Sequence, residues 1–303
     1  MDSPPPPSLV ALPLDPISPR LPIADPFTPA IAARAGIGRA VLVRLHRDGR
    51  VRRLLRGVYV DATVPSSVAL RARAVGLLVP AGQVVVGQTA AWLHGVDLLR
   101  PDAVVPVEVH GRGRRPGQPG VRAARHAGHD VEAVEGVRCT TPLRTALDLG
   151  RWLPPDHALA ALDGLLGLRA FAHTALMAEV ARFGGQHGVV QLRELAALAD
   201  GRADGPAESV LRLRWLDGHL PTPTPGLVVA APTGPVRLAL GLEVHRFGVA
   251  LAGRLRDAEL AALSALGWRA VVVTAERVLR SDPALLVAHL EREFHLHLLA
   301  QVG

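Results

Sequence analysis

Lysine is missing from this chain. All 34 basic residues among its 303 are arginine, a bias that reflects a GC-rich genome rather than a functional demand. Cysteine is nearly missing too. Cys139 stands alone, which excludes an intrachain disulfide and fits a reducing cytoplasm. The opening Met1-Asp-Ser-Pro-Pro-Pro-Pro7 lacks the basic region and apolar stretch of a secretory signal, so none is expected. Val75 to Val96 carries no charged residue, yet Pro80, Gly82, Gln83, Gln88 and His94 interrupt it. It divides into a helix end, a strand and a second helix, and no membrane span is expected. There is no phosphate-cradling glycine loop, no Ser/His/Asp elbow and no zinc spacing. Gly111-Arg-Gly-Arg-Arg-Pro-Gly117 is not Gly-x-Gly-x-x-Gly, and no helix follows it. The expectation is a cytoplasmic protein with no cofactor and no bound metal.

What is present begins with apolar mass. Hydrophobic residues make up 49% of the chain, which marks a globular protein with ample core for two or three domains. The net charge of +7 is unevenly placed. Residues 27–61 hold eight arginines against Asp48 and Asp61, a net of +6, the footprint of a phosphate-binding surface. Residues 1–26, with nine prolines, read as a disordered or polyproline-like arm.

Residues 27–61 predict a winged helix-turn-helix. Thr28 and Pro29 open a first helix, Gly36-Ile-Gly38 turns the chain, and Arg39–Arg47 forms a second helix. Val51–Val60 then makes a tight hairpin around Arg56-Gly57. Residues 62–153 predict a central mixed α/β domain. Its pieces are a helix capped by Ser66 or Ser67, strands at 83–87, 104–109 and 137–140, a short helix at 89–94, and a helix opened by Thr141-Pro142. Residues 154–203 predict a helical connector broken near Gly167 and Gly184-Gly185. Residues 204–303 predict a helix from Pro206, strands near 226–231, 236–242, 246–251 and 268–274, and helices from Asp257 and Pro283. The fold class is therefore α/β (α+β).

Six stretches carry a family resemblance. Leu55-Arg-Gly-Val-Tyr-Val60 is similar to the wing of the AbiEi-type antitoxin winged helix-turn-helix. Gly87-Gln-Thr-Ala-Ala-Trp-Leu-His-Gly-Val-Asp97 and Thr140-Thr-Pro-Leu-Arg-Thr-Ala-Leu-Asp-Leu149 are similar to blocks of the domain that follows it. Glu208-Ser-Val-Leu-Arg212, Arg237–Arg254 and Ala265-Leu-Gly-Trp-Arg269 resemble a very-short-patch-repair-like nuclease scaffold. Their order resembles a widespread actinobacterial family, which implies a restriction-endonuclease-like α/β fold in the last domain. Its nuclease core usually reads Arg-Val-Asp-Leu-Ala, a turn, then Val-Glu-Tyr-Asp-Gly. Here the acidic positions are Ala239, Ala250 and Ala252, and Glu208 is the residual acid. Mg²⁺ wants clustered oxygen ligands, which an alanine methyl cannot supply. The resemblance thus implies a nuclease fold without a catalytic residue set. A further departure is the missing first helix of the N-terminal domain, whose place falls to the proline-rich Ile17–Pro26.

The candidate DNA-binding residues are Arg39, Arg44 and Arg47 on the second helix with Arg50, Arg52, Arg53 and Arg56 on the wing. A solvated basic face is the plain alternative. Arg112, Arg114, Arg115, Arg122 and Arg125 form a second basic patch that reads equally as a solvated loop. His94 reads as a capping or core histidine, and Asp148 as a buried hydrogen-bonding group. Trp92, Trp215 and Trp268 read as core anchors. His289, His295 and His297 are poorly spaced for a metal. Glu243 with His245 mimics a nuclease pair in a shifted register, without its partner aspartate. The reading that follows is a transcriptional regulator of the antitoxin type, bound to double-stranded DNA, with an inactive nuclease-like domain kept for packing, homodimer formation or partner binding. The alternatives are a Mg²⁺-dependent endonuclease using Glu208 or Glu243, and an antitoxin that neutralises a nucleotidyltransferase-type toxin.

Overall fold

The computed structural model describes residues 24–98, 105–110, 120–122, 127–218 and 220–302. The expected arm up to residue 23, the loop holding Arg112, Arg114 and Arg115, and Arg125 lie outside them. Helices make up 49% and strands 18%, a mixed α/β fold as the periodicities imply.

The first unit is built as the local signals dictate. The Thr28 hydroxyl accepts from the Ile31 amide, and Pro29 opens α1 (Pro29–Arg34). Gly36, at φ 83°, makes the turn into α2 (Arg39–Arg47). Gly49 (φ 70°) leads out of α2 into β1 (Val51–Leu55), which pairs antiparallel with β2 (Val58–Asp61). Residues 17–23, most of the stretch expected in place of a first helix, lie outside the described residues. Phe27 exchanges backbone hydrogen bonds of 2.8 and 2.9 Å with Tyr59, adding a rung to the hairpin. Its fully buried ring closes a small core with Ala32, Ile37, Leu42 and Val51. The hairpin serves a second core as well. Leu54, Leu55, Val58 and Val60 pack with Leu70, Val75, Val85, Leu93 and Cys139.

That second core belongs to a small sheet and its helices. Ser67 caps α3 (Val68–Gly76). Val85 lies between β3 (Glu108–His110) and β6 (Val137–Thr140), bridging Val109 on one side and Cys139 on the other. The strand expected over 83–87 therefore exists as a central rung. It stops early because α4 (Gly87–Leu93) begins at Gly87. Only glycine fits there: φ is +60°, and a Cβ would lie 2.1 Å from the Glu108 carboxylate, whose oxygen accepts from the Gln88 amide. β4 (Gly120–Arg122) runs parallel to β3, and β5 (Val131–Val134) antiparallel to β6.

Helices α5 (Pro142–Trp152), α6 (Pro155–Gly167), α7 (His173–Glu179) and α8 (Val189–Leu198) pack around Leu147, Leu159, Leu162, Leu176 and Leu192, with a 3-10 turn at Val180–Phe183. The last unit starts with α9 (Pro206–Asp217). Its sheet has the order β12-β11-β10-β7, from β7 (Thr224–Pro225), β10 (Leu240–Leu242), β11 (Phe247–Leu251) and β12 (Arg269–Val273). β11 and β12 are parallel, joined through α10 (Asp257–Ala265); the other pairs are antiparallel. β8 (Val228–Ala231) and β9 (Gly234–Arg237) form a separate hairpin, so the strand expected over 236–242 is broken at 238–239. Helix α11 (Ala275–Arg280) was not foreseen, and α12 (Pro283–Val302) starts at its proline as expected. Trp215, Phe247, Leu286 and Phe294 fill one face of the sheet, and Val236, Leu238 and Leu263 fill the other.

Candidate nucleic-acid interface

The basic face rests on α2. Leu42 points into the core and Val41 and Leu45 lie half-buried beside it, which turns Arg39, Val43, Arg44 and Arg47 to solvent. Asp48 lies 3.5 Å from the Arg44 Nε and 3.4 Å from the Arg47 Nε, a single carboxylate between two exposed guanidinium groups. Exposed pairs of this kind contribute at most about 1 kcal/mol and exchange readily for a phosphate. On the hairpin, Arg53 and Arg56 are exposed and Arg50 is half-buried.

Arg52 differs from the others. Its Nη2 donates to the Val64 carbonyl at 2.8 Å, and burial, with the nearby Arg71 charge, lowers its pKa. It braces the hairpin against the chain that follows. The N-cap of α2 is Gly38, which gives no side-chain hydrogen bond. Neither its backbone (φ −69°) nor packing demands glycine, because a Cβ there would meet nothing within 4 Å. The first-turn amides of α2 thus have no side-chain cap, a geometry suited to a phosphate oxygen.

The four nuclease-core positions do not form a ligand cluster. Ala239, just before β10, packs in the core under α9 and α12. Ala250, in β11, packs on the other face of the sheet with Val236, Leu238 and Leu263. The break at 238–239 sends the two methyls into different cores. Ala252 is exposed past the end of β11, its amide bonded to the Val273 carbonyl. Glu208 is 2% exposed. Its two oxygens accept from Arg237 at 2.8 and 2.7 Å, and one also accepts the Asp204 amide. Glu243 lies exposed in the turn at the opposite end of β10 and β11. Among the described residues no group of three or more His, Cys, Asp or Glu side chains is placed to hold a metal ion.

A buried charge network, largely missed in the sequence, ties the central sheet to the helices. Asp148, fully buried, accepts from Arg144 at 2.9 Å and from Arg151 at 2.7 Å. Asp130 accepts from Arg144 at 2.7 Å and from Arg182 at 3.0 and 2.9 Å. Arg144 and Arg151 both lie over the Phe183 ring. The signal for the α5 part was the Arg144, Asp148, Arg151 spacing on an apolar helix. The link to Asp130 is tertiary.

Burial pushes the Asp130 carboxyl up, but the Arg182 hydrogen bonds, the Ala127 amide and the Arg144 and Arg182 charges together bring it down to about 2. A carboxyl lowered in the folded state stabilises it above the unfolded value of about 3.9 and loses that contribution as pH falls through the folded value. Acid titration from pH ~5 to ~2 is therefore expected to remove on the order of 2 kcal/mol through this group. Urea midpoints of Asp130→Asn should change less over that range than those of the parent. Equal acid sensitivity of the two proteins would refute the assignment.

The remaining candidates are structural. His94 Nε2 lies 2.7 Å from the Thr140 carbonyl, with the Cys139 Sγ at 3.7 Å. Burial and the Glu132 charge push the Cys139 thiol up to about 12, so it is no nucleophile at neutral pH. His297 Nε2 contacts the His245 carbonyl, and Trp215 donates to the Pro221 carbonyl from a fully buried position.

Residues 83–198, from the Val85 rung through α8, match the AbiEi antitoxin C-terminal domain. The chain is also 32% identical over 215 residues to two uncharacterized proteins of Mycobacterium tuberculosis, from strains CDC 1551 / Oshkosh and ATCC 25618 / H37Rv. The alignment spans 67% of this chain and 78% of each relative, and the chain belongs to their family. Among the described residues no helix is long and apolar enough to cross a membrane.

Proposed function

We propose that this protein is a duplex-DNA-binding regulator of the antitoxin type whose last unit is a nuclease scaffold without nuclease chemistry. The observation that carries the DNA reading is the solvent exposure of Arg39, Arg44 and Arg47 on α2. The hairpin adds the exposed Arg53 and Arg56, and the apolar residues of the module are turned inward. Phosphate neutralisation by such a face gives salt-dependent binding, and a helix of this length fits the major groove. The AbiEi antitoxin domain supports a toxin as a second class of partner.

The silent-nuclease reading is supported by the helix and strand order from α9 to β12, which is compatible with the resembled scaffold, and by what stands at its acidic positions. Two alanines are buried in separate cores, and Glu208 is held bidentate by Arg237. A carboxylate engaged on both oxygens has little left to offer a cation. Incubating the full-length protein with supercoiled plasmid and Mg²⁺ or Mn²⁺ is expected to leave the plasmid intact. Nicking that disappears in Glu208→Ala would overturn this reading and establish an endonuclease.

A further inference from the structure

Within the described part of residues 27–61, Val43 is the large hydrophobic side chain left most exposed, at 60%. Scattered exposed valines are ordinary on protein surfaces; the neighbours of this one set it apart. Arg39, Val43 and Arg47 are spaced four and four along α2, so they form one row, with about 6 Å of helix rise between successive members. Arg44 stands beside it, and the exposed Ala40 leaves the approach to that face open. A β-branched residue is a poor choice for the stability of a nine-residue surface helix. Val43 therefore does little for the fold, and it sits at the midpoint of the positive row. If phosphates engage the flanking arginines, the branched methyls of Val43 face the floor of the groove between them. The apolar group on that floor is the C5-methyl of thymine.

We propose that Val43 determines sequence preference by packing on thymine methyl groups in the major groove. This rests on the DNA-binding reading above, and it adds what the arginines do not supply. Charged contacts to phosphate set affinity for any duplex, whereas a base-edge contact distinguishes one sequence from another.

The test uses the full-length protein and a duplex library with a randomised core, from which the best-bound sequence is enriched. Each thymine of that sequence is then replaced by deoxyuracil, which keeps every hydrogen-bonding group and loses only the methyl. For the parent, replacement at the contacted position is expected to weaken binding about fourfold, the value of one buried methyl-sized group. For Val43→Ala the same replacement should change nothing, while the salt dependence stays that of the parent. Because Val43 is exposed and alanine is the better helix former, the variant should melt no lower than the parent. If the parent binds tightly but uracil replacement affects both proteins equally, or neither, the Val43 assignment is wrong and the arginine face stands. If duplexes are bound but no sequence is enriched, the Val43 assignment is wrong and the arginine face stands; if no duplex is bound, the DNA-binding reading fails and takes this inference with it.

Discussion

Replacing Arg39, Arg44 and Arg47 together with alanine is expected to weaken duplex binding on the order of 10²- to 10³-fold near 0.1 M salt, across all sequences alike. Each neutralised phosphate contributes about 0.9 to the slope of log affinity against log salt, so three lost contacts should flatten that slope by about 2.7. The side chains of Arg44 and Arg47 are 72% and 76% exposed, and the Asp48 contacts they lose are surface pairs. The triple variant should therefore fold as the parent does. Arg52→Ala is the informative contrast. Its guanidinium holds the Val64 carbonyl, so its loss should appear mainly in the melting temperature and little in the salt slope. A fluorescence-anisotropy salt series on the three proteins separates these outcomes. A triple variant that binds as well as the parent would show that α2 is not the contact surface.

The second large effect is on stability. Asp163, on α6, is 1% exposed and Arg212, on α9, is 5% exposed. Arg212 Nη2 donates to both carboxylate oxygens, at 2.7 and 2.6 Å, and Nη1 donates to the Leu198 carbonyl. Burial raises the Asp163 pKa in spite of Arg212, the Asp200 amide and Ser209. Desolvation is thus the largest influence on this carboxyl. The pair is expensive to form and more expensive to break, because a lone partner is left charged and dry.

Asp163→Ala is expected to cost about 3–5 kcal/mol, a large part of the stability of a typical domain. Combining Asp163→Leu with Arg212→Met should recover most of that loss, since a well-packed apolar pair often replaces a buried ion pair without penalty. Urea denaturation of the full chain, followed by circular dichroism, measures both. A single-variant loss below about 1 kcal/mol would mean that Arg212 finds water instead, and the buried-pair account would fail. The consequence is more than local. Asp163 lies inside the segment matched by the AbiEi domain and Arg212 outside it, so the pair anchors the last unit to that domain.

The elements most legible in the sequence have local causes. Thr28-Pro29, Ser67 and Thr141-Pro142 open helices because a side-chain oxygen satisfies a first-turn amide and proline needs no donor there. Gly36, Gly49 and Gly57 mark turns because each has positive φ. The strand over 137–140 and the start of α12 follow from comparable signals. The strand expected over 236–242 breaks because the neighbours Ala239 and Leu240 serve one core while Val236 and Leu238 serve the core on the other face, a switch that strict period-two alternation does not contain.

The sequence by itself determined the composition of the basic module, the secondary structure around its caps and glycines, and the absence of carboxylates at 239, 250 and 252. Each is a property of one residue or of a few neighbours. Only the tertiary structure decided that Phe27 adds a rung to the hairpin, that Arg52 braces while Arg53 stays exposed, and that Glu208 is consumed by Arg237. It also decided that Asp130 and Asp163 reach arginines 14 and 49 residues away. These depend on which surfaces meet when elements distant in sequence pack. A side chain's partner across such a contact follows from the geometry of burial, and no local periodicity encodes it.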